Sequence, residues 1–191
     1  PECVCLISNT EVAVILDNNK IEILSFKSID DVKRVKTLDA KTGFYESHAV
    51  AKVKSMDKVV ASGNKMDRIM FWCIVSITDG QVDSSHQISK RGLVSHLATK
   101  DNTVYISVWA NDYFDDTGVH AYDIFNPHTR KFMYQNYKLN SPFGLTVDTW
   151  FFSFVCNWDS DSIHHPTDRG ELVTIHAVSS GTRDLFYEDQ H

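Results

Sequence analysis

The sequence predicts an all-β protein built from four copies of one unit. Short runs rich in Val, Ile, Tyr, Phe and Trp alternate along the whole chain with clusters of Asp, Asn, Gly, Ser and Pro, as strands alternate with turns. Helical periodicity is nearly absent: residues 30–38 place Val32, Val35 and Leu38 on one face, but this run is too short to indicate a convincing helix. The third observation is an internal repeat of about 50 residues.

The repeat appears when four segments are aligned, each with an apolar strand, a polar turn and a second strand. They are "KIEILSFKSIDDVKRV", "IMFWCIVSITDGQVDSSHQI", "VHAYDIFNPHTRKFMYQNY" and "LVTIHAVSSGTRDLFYED". The residues that close the first strand of each segment are Phe26, Ile77, Phe125 and Val178. Two more strand-like runs precede every segment, for example "HAVAKVKSM" and "DKVVASGN" before the second one. The unit therefore contains four short strands.

A four-stranded unit of this length cannot cover both of its faces alone. Copies stacked around an axis bury these faces against one another, which is the arrangement of the blades in a β-propeller. We therefore predict one β-propeller domain over residues 1–191, with four-stranded antiparallel blades. The four blades are expected at about 1–40, 44–90, 92–139 and 142–191.

Two architectures fit four blades: a closed four-bladed propeller, and half of a larger propeller. The start of the chain at Pro1, without a Met, favours the second. A closed propeller could join its ends by a disulfide from Cys3 or Cys5 to Cys156, but buried free thiols are the simpler expectation for these apolar runs.

The pattern resembles the broad β-propeller superfamily, WD40-like or quinoprotein-like, over the whole chain. His48 in "ESHAV" and His96 in "VSHLA" lie where WD40 blades often carry a Gly-His pair. However, the third strands end in "FK", "IT", "FN" and "VS" where WD40 blades have Trp-Asp. The pair Trp158-Asp159 is expected to end a second strand instead. The resemblance implies a scaffold or receptor module that presents its loops to other proteins.

Composition argues against several classes of function. The formal charge of −6 and the isoelectric point of about 5.8 argue against nucleic acid as a partner. The longest apolar runs, residues 69–75 and 150–156, are far shorter than the roughly 20 residues of a membrane-spanning helix. Asn-x-Ser/Thr acceptors are absent from the sequence, which favours a cytoplasmic or nuclear protein and leaves secretion open.

The connections between second and third strands lengthen along the chain, from "DNNK" and "GNKMD" to "NDYFDDTG" and "NWDSDSIHHPTDRG". Equivalent connections emerge on one face of a propeller, so the last two should be neighbours. Their exposed aromatic and charged side chains are the candidate partner- or ligand-binding residues. These are Asp112, Tyr113, Phe114, Asp115, Asp116, Trp158, Asp159, Asp161, His164 and His165.

The sequence lacks the usual signatures of catalysis: it has no Gly-x-Ser-x-Gly, no phosphate-binding loop, no dinucleotide fingerprint and no His-Glu-x-x-His. We therefore predict no catalytic residues, no cofactor and no metal. The preferred hypothesis is a non-enzymatic module that binds other proteins, with further blades from a longer chain as another partner. The alternative is a propeller enzyme or ligand-binding protein with a divalent metal held by the acidic and His loop residues.

The stretch "VHAYDIFNPHTRKF" (119–132) contains His120, Asp123, His128 and Arg130. Its outline recurs at "LVTIHAVSSGTRDLF", which indicates a hairpin between third and fourth strands and not a catalytic constellation. Pro127 is expected in the turn of this hairpin.

Overall fold

The computed structural model describes residues 3–16, 20–28, 30–39, 44, 46–54, 56–65, 69–89, 92–110, 116–150 and 153–178. In this part of the chain, sixteen strands form four antiparallel sheets of four strands each. Within every sheet, neighbouring strands follow one another in the sequence. The prediction of four four-stranded antiparallel units is confirmed.

The chain divides into two compact units, residues 1–90 and 91–191. The first unit contains two sheets. The first sheet comprises β1 (Cys3–Ser8), β2 (Glu11–Ile15), β3 (Lys20–Phe26) and β4 (Val32–Asp39). The second comprises β5 (Glu46–Lys52), β6 (Lys58–Asn64), β7 (Met70–Ser76) and β8 (Val82–Ser89).

The second unit also contains two sheets. The third sheet comprises β9 (Leu93–Lys100), β10 (Thr103–Trp109), β11 (Gly118–Asp123) and β12 (Arg130–Tyr134). The fourth comprises β13 (Pro142–Val147), β14 (Ser153–Asn157), β15 (Ser162–Pro166) and β16 (Leu172–Ala177).

The first unit is held together by apolar side chains between its two sheets. Ala13 and Ile15 of β2 pair in register with Ile23 and Ile21 of β3, and all four are nearly inaccessible to solvent. The second sheet contributes Val50, Val59, Ala61, Cys73 and Val75 to the same core, and Phe44, just before β5, joins them. Alternation along each strand therefore directs one face of the first sheet into this core.

The other face of the first sheet is apolar but open. Val4 and Leu6 of β1 are each 59% exposed. They pair with Val14 and Val12 of β2, which are half-buried. This side of the sheet therefore presents a strip of branched apolar side chains with little covering.

The core of the second unit lies between the third and fourth sheets. Tyr105, Val119, Ala121 and Tyr134 come from the third sheet, and Leu139, Leu145 and Val155 complete the cluster. Gly118 permits a close approach at the start of β11, because a Cβ at this position would lie 2.1 Å from the carbonyl oxygen of Tyr134.

Two expectations about individual strands are corrected. The third strand of the fourth sheet is Ser162–Pro166, and Leu172–Ala177 is the fourth strand, so the proposed match between 119–132 and 172–186 is wrong. Residues beyond 178 lie outside the described part. The possible helical face at 30–38 belongs to β4, which pairs with β3 from Lys20↔Asp39 to Phe26↔Val32.

Candidate functional site

A cavity of about 190 Å³ opens at one end of the second unit. Three aromatic side chains, a proline and two polar residues line it: Trp109, Ser141, Pro142, Phe143, Trp158 and Asp159. Trp158 is 36% exposed, and Trp109 and Phe143 are half-buried. The aromatic rings are therefore partly covered by the protein and partly accessible to a binding partner.

Strand direction explains why these residues meet. Trp109 is the last residue of β10, Pro142 is the first of β13, and Trp158 follows β14 in a short 3-10 turn. Trp109 is opposite Leu93, the first residue of β9, and Pro142 is opposite Asn157, the last of β14. All of them thus lie at the same end of their sheets, which we call the pocket end.

Two hydroxyl groups fasten the start of β13 to the third sheet. Ser95 Oγ donates to the carbonyl oxygen of Pro142 at 2.6 Å, and Ser107 Oγ donates to that of Phe143 at 2.7 Å. Ser107 is fully buried. These two bonds hold the backbone immediately before and after the Phe143 side chain. They therefore fix one aromatic wall of the pocket.

Asn157 fastens the same segment from the fourth sheet. It is 1% exposed, and its Oδ1 accepts from the backbone N–H of Ser141 at 3.0 Å. Its Nδ2 donates to the carbonyl oxygen of Lys138 and to Ser160 Oγ. The next residue, Trp158, donates its backbone N–H to the carbonyl oxygen of Ser141 at 3.0 Å. One side chain therefore joins the approach to β13 with the turn that carries Trp158.

The pocket combines aromatic walls with one carboxylate. Phe143 and Trp158 meet edge to face, with centroids 5.4 Å apart and planes at 90°. Ser141 Oγ donates to Asp159 Oδ2, which orients the carboxylate at the rim. No Lys or Arg lines the cavity, and none forms a salt bridge with Asp159 among the described residues.

The opposite end of these sheets, which we call the turn end, is closed by short turns. Asp123 Oδ1 accepts from the backbone N–H groups of Phe125 and Asn126 at 2.9 and 3.3 Å, and Thr129 N–H donates to the carbonyl oxygen of Asn126. This turn joins β11 to β12, as predicted for the hairpin at 119–132. His128 and Arg130 lie there, exposed and away from the pocket end.

The sequence-predicted site residues separate into several groups. Asp112, Tyr113, Phe114 and Asp115 lie outside the described residues. Trp158 and Asp159 line the pocket.

The two remaining carboxylates are not pocket residues. Asp116 is half-buried, and its backbone carbonyl oxygen bonds with Nε2 of the buried His120 at 2.8 Å. Asp161 caps the 3-10 turn in a left-handed conformation, with φ of 45°. Neither is among the residues that line the cavity.

His164 and His165 are strand residues, which corrects the prediction that they belong to a loop. Both lie in β15, and His164 is fully buried with its Nδ1 2.6 Å from the hydroxyl of Tyr134. Burial lowers the pKa of His164 to about 4, with a smaller contribution from the charge of Lys138. His165 stacks on Phe154 with centroids 4.2 Å apart. These contacts explain both imidazoles as packing groups.

A metal site would need several of these ligands in one place. Among the described residues, no three His, Cys, Asp or Glu side chains come together in a group that could hold a metal ion. Cys3, Cys5, Cys73 and Cys156 carry free thiols. In the described part of the chain, no helix is long and apolar enough to cross a membrane.

Sequence reasoning did not select Trp109, Ser141, Phe143 or Asn157 for the site. A signal for Asn157 is present, because Asn18, Asn64, Asn111 and Asn157 recur at intervals of 46 or 47 positions in the sequence. Asn64, like Asn157, is the last residue of its strand and nearly inaccessible to solvent. The second and fourth sheets therefore each carry a buried Asn at the end of their second strand.

Comparison with known proteins identifies the fold of this chain but no family. No protein-family model and no curated protein matches the sequence. Solved structures with similar folds include a nidogen/laminin complex, with a TM-score of 0.68 and 10% identity over 91% of this chain and 62% of that one.

Two more similar structures are enzymatic or uncharacterised. The hydrazine synthase of Kuenenia stuttgartiensis gives a TM-score of 0.71 at 11% identity, covering 91% of this chain and 60% of that one. A protein of unknown function from Bacteroides caccae gives 0.65 at 10%, covering 92% and 60%. The chain therefore spans about 60% of the length of these structures. With its four four-stranded sheets, it has the β-propeller fold, and each sheet is a blade.

Proposed function

We propose that this chain is a non-enzymatic recognition module that binds a partner protein at the pocket end of its third and fourth blades. The observation that carries the proposal is the cavity between Trp109, Phe143 and Trp158, with Asp159 at its rim. Aromatic side chains held in partly desolvated pockets dominate the binding energy of many protein interfaces. The expected role is that of a scaffold or receptor, and free cysteine thiols are compatible with the cytoplasmic or nuclear location that the sequence favours.

The rigidity of the site supports this proposal. Hydrogen bonds from Ser95, Ser107 and Asn157 hold the backbone around Phe143 and Trp158 before any partner arrives. A preorganised site spends less binding energy on ordering its side chains. The structures of similar fold include one from a protein complex, the nidogen/laminin complex, and one named as an enzyme, so the fold by itself does not decide the function.

A pair of tryptophan substitutions tests the proposal. Trp158→Ala removes a wall of the pocket, and Trp150→Ala removes a 77% exposed tryptophan next to the fourth blade's turn end. Crosslinking in the natural cell should recover partners with the wild type and with Trp150→Ala, and lose them with Trp158→Ala. Equal recovery by the two variants, both shown to be folded by thermal melts, would contradict the proposal.

We further propose that the open face of the first blade packs against another propeller blade. Val4 and Leu6 are each 59% exposed on this face, whereas Ala13, Ile15, Ile21 and Ile23 on the other face are at most 4% exposed. Packing of blade on blade is how propellers bury such faces. The similar structures are longer than this chain, which leaves room for additional blades.

Cysteine labelling tests this second proposal. Leu6→Cys, in a background with Cys3→Ala and Cys5→Ala, should react quickly with a maleimide in the 191-residue chain. In the protein as its natural source makes it, the same cysteine should react at least tenfold more slowly. Equal rates in the two preparations would exclude a covering blade.

A further inference from the structure

We infer that the aromatic pocket at the end of the third and fourth blades receives a cationic side chain, lysine or arginine, from a partner protein. This inference rests on the proposed function and specifies its chemistry. It is carried by the lining of the cavity, its size and the charge at its rim, which are independent of one another.

The lining favours a cation over a neutral apolar group. Ring faces attract a nearby ammonium or guanidinium group through the ring quadrupole, most strongly for tryptophan. Trp109, Phe143 and Trp158 supply three rings, and the perpendicular arrangement of Phe143 and Trp158 forms a corner that can contact a methylene stem from two sides. Lysine and arginine both have such a stem below the charge.

The carboxylate completes the recognition. Asp159 lies at the same cavity and retains acceptor capacity beyond the bond it accepts from the Ser141 hydroxyl. No salt bridge to Asp159 forms in the described part of the chain, so its charge has no cation there. A carboxylate beside aromatic rings gives a bound cation a charge-assisted hydrogen bond that an apolar side chain cannot use.

The volume favours one side chain over a larger ligand. About 190 Å³ is below the roughly 300 Å³ at which pockets for drug-sized molecules begin. The net charge of −6 attracts basic segments in general, and a basic partner would be steered towards the chain.

Indole NMR signals provide the test. The probes are acetyl-arginine methylamide and acetyl-lysine methylamide, with their neutral analogues acetyl-citrulline methylamide and acetyl-norleucine methylamide. The cationic probes should shift the indole N–H signals of Trp109 and Trp158, and the signal of Trp150 should stay in place. Asp159→Asn keeps all three rings and should weaken cation binding about 5- to 30-fold.

The opposite outcomes overturn the inference. Equal shifts with citrulline or norleucine would show an apolar pocket, equal shifts at Trp150 would show nonspecific contact between cations and indoles, and no shift would show no site. Failure of this inference is distinguishable from failure of the proposed function. If Trp158→Ala abolishes partner recovery while the cationic probes do not bind, the proposed recognition function is supported and the inference of a cationic ligand is wrong. If the probes bind and Trp158→Ala leaves recovery unchanged, the pocket chemistry stands and the proposed function is wrong.

Discussion

The two ends of the third and fourth blades are built differently. At the turn end, the β11–β12 turn satisfies its own backbone: the Asp123 carboxylate and the Asn126 carbonyl accept its N–H groups, and Phe125, Asn126 and His128 are exposed. At the pocket end, residues distant in sequence are fastened to one another by buried side chains, above all Ser107 and Asn157. A turn held by such local hydrogen bonds is an ordinary feature of protein surfaces. Long-range buried polar bonds create a shaped cavity, which is why we assign recognition to the pocket end.

The largest effect is expected from Asn157→Leu. This change leaves the buried N–H of Ser141 and the partly buried carbonyl of Lys138 without their partner, and an unsatisfied buried group costs about 1–3 kcal/mol. The free energy of unfolding should fall by about 3 kcal/mol in urea titrations. Asn126→Leu, exposed at the turn end, is the matched control and should change it by less than about 0.5 kcal/mol. Similar losses in both variants would remove the distinction between the ends.

The pH dependence of stability should depend on the buried His120. Burial lowers the pKa of His120 to about 4 from an ordinary 6.5. The charge of Arg130 also lowers this pKa, whereas the hydrogen bond with the backbone of Asp116 opposes the shift. The unfolded chain therefore binds the proton first as pH falls, and stability present above pH 6.5 is lost progressively down to about pH 4.

This loss amounts to about 2 kcal/mol at pH 5 for His120 alone. His120→Gln should reduce the fall in unfolding free energy between pH 7 and pH 5 by this amount, as measured by urea titration at each pH. An unchanged profile in His120→Gln would mean that this imidazole is not held neutral.

A smaller difference in stability is expected between alanine substitutions of two buried serines. Ser107→Ala removes the donor to the carbonyl of Phe143 and should cost about 1 kcal/mol. Ser153, at the turn end, is fully buried, and its hydroxyl has no hydrogen-bond partner in the described part of the chain. Ser153→Ala should therefore be neutral or stabilising when thermal melts of both serine variants are compared with the wild type. A cost at Ser153 as large as that at Ser107 would contradict the assignment of these bonds.

The smallest effect is expected at the turn itself. Asp123→Ala removes the acceptor for the N–H groups of Phe125 and Asn126, in a turn that solvent can reach. The cost should be about 0.5 kcal/mol, and partner binding should be unchanged. Weaker partner binding in this variant, measured by calorimetry, would place recognition at the turn end and contradict the proposal.

The sequence predicts the strands of the first three blades well, because alternating apolar residues bounded by Gly, Asn and Asp specify both the strand and its buried face. It misplaces the third strand of the fourth blade. "SIHHP" is short, polar and ends in Pro166, yet His164 is buried on Tyr134, a contact from another blade that no local pattern encodes. The pocket was only half predictable for the same reason: Trp158 and Asp159 stand out in their connection, whereas Phe143 and Ser141 join them through packing of one blade on the next.

Hydrogen exchange of the chain with and without a captured partner distinguishes recognition at the pocket end from recognition at the turn end. We expect the partner to slow exchange of backbone amides at residues 139–144 and 157–161, and to leave residues 124–130 and 148–150 unchanged. Protection confined to the turn end, or spread equally over both ends, would contradict the assignment of recognition to the pocket.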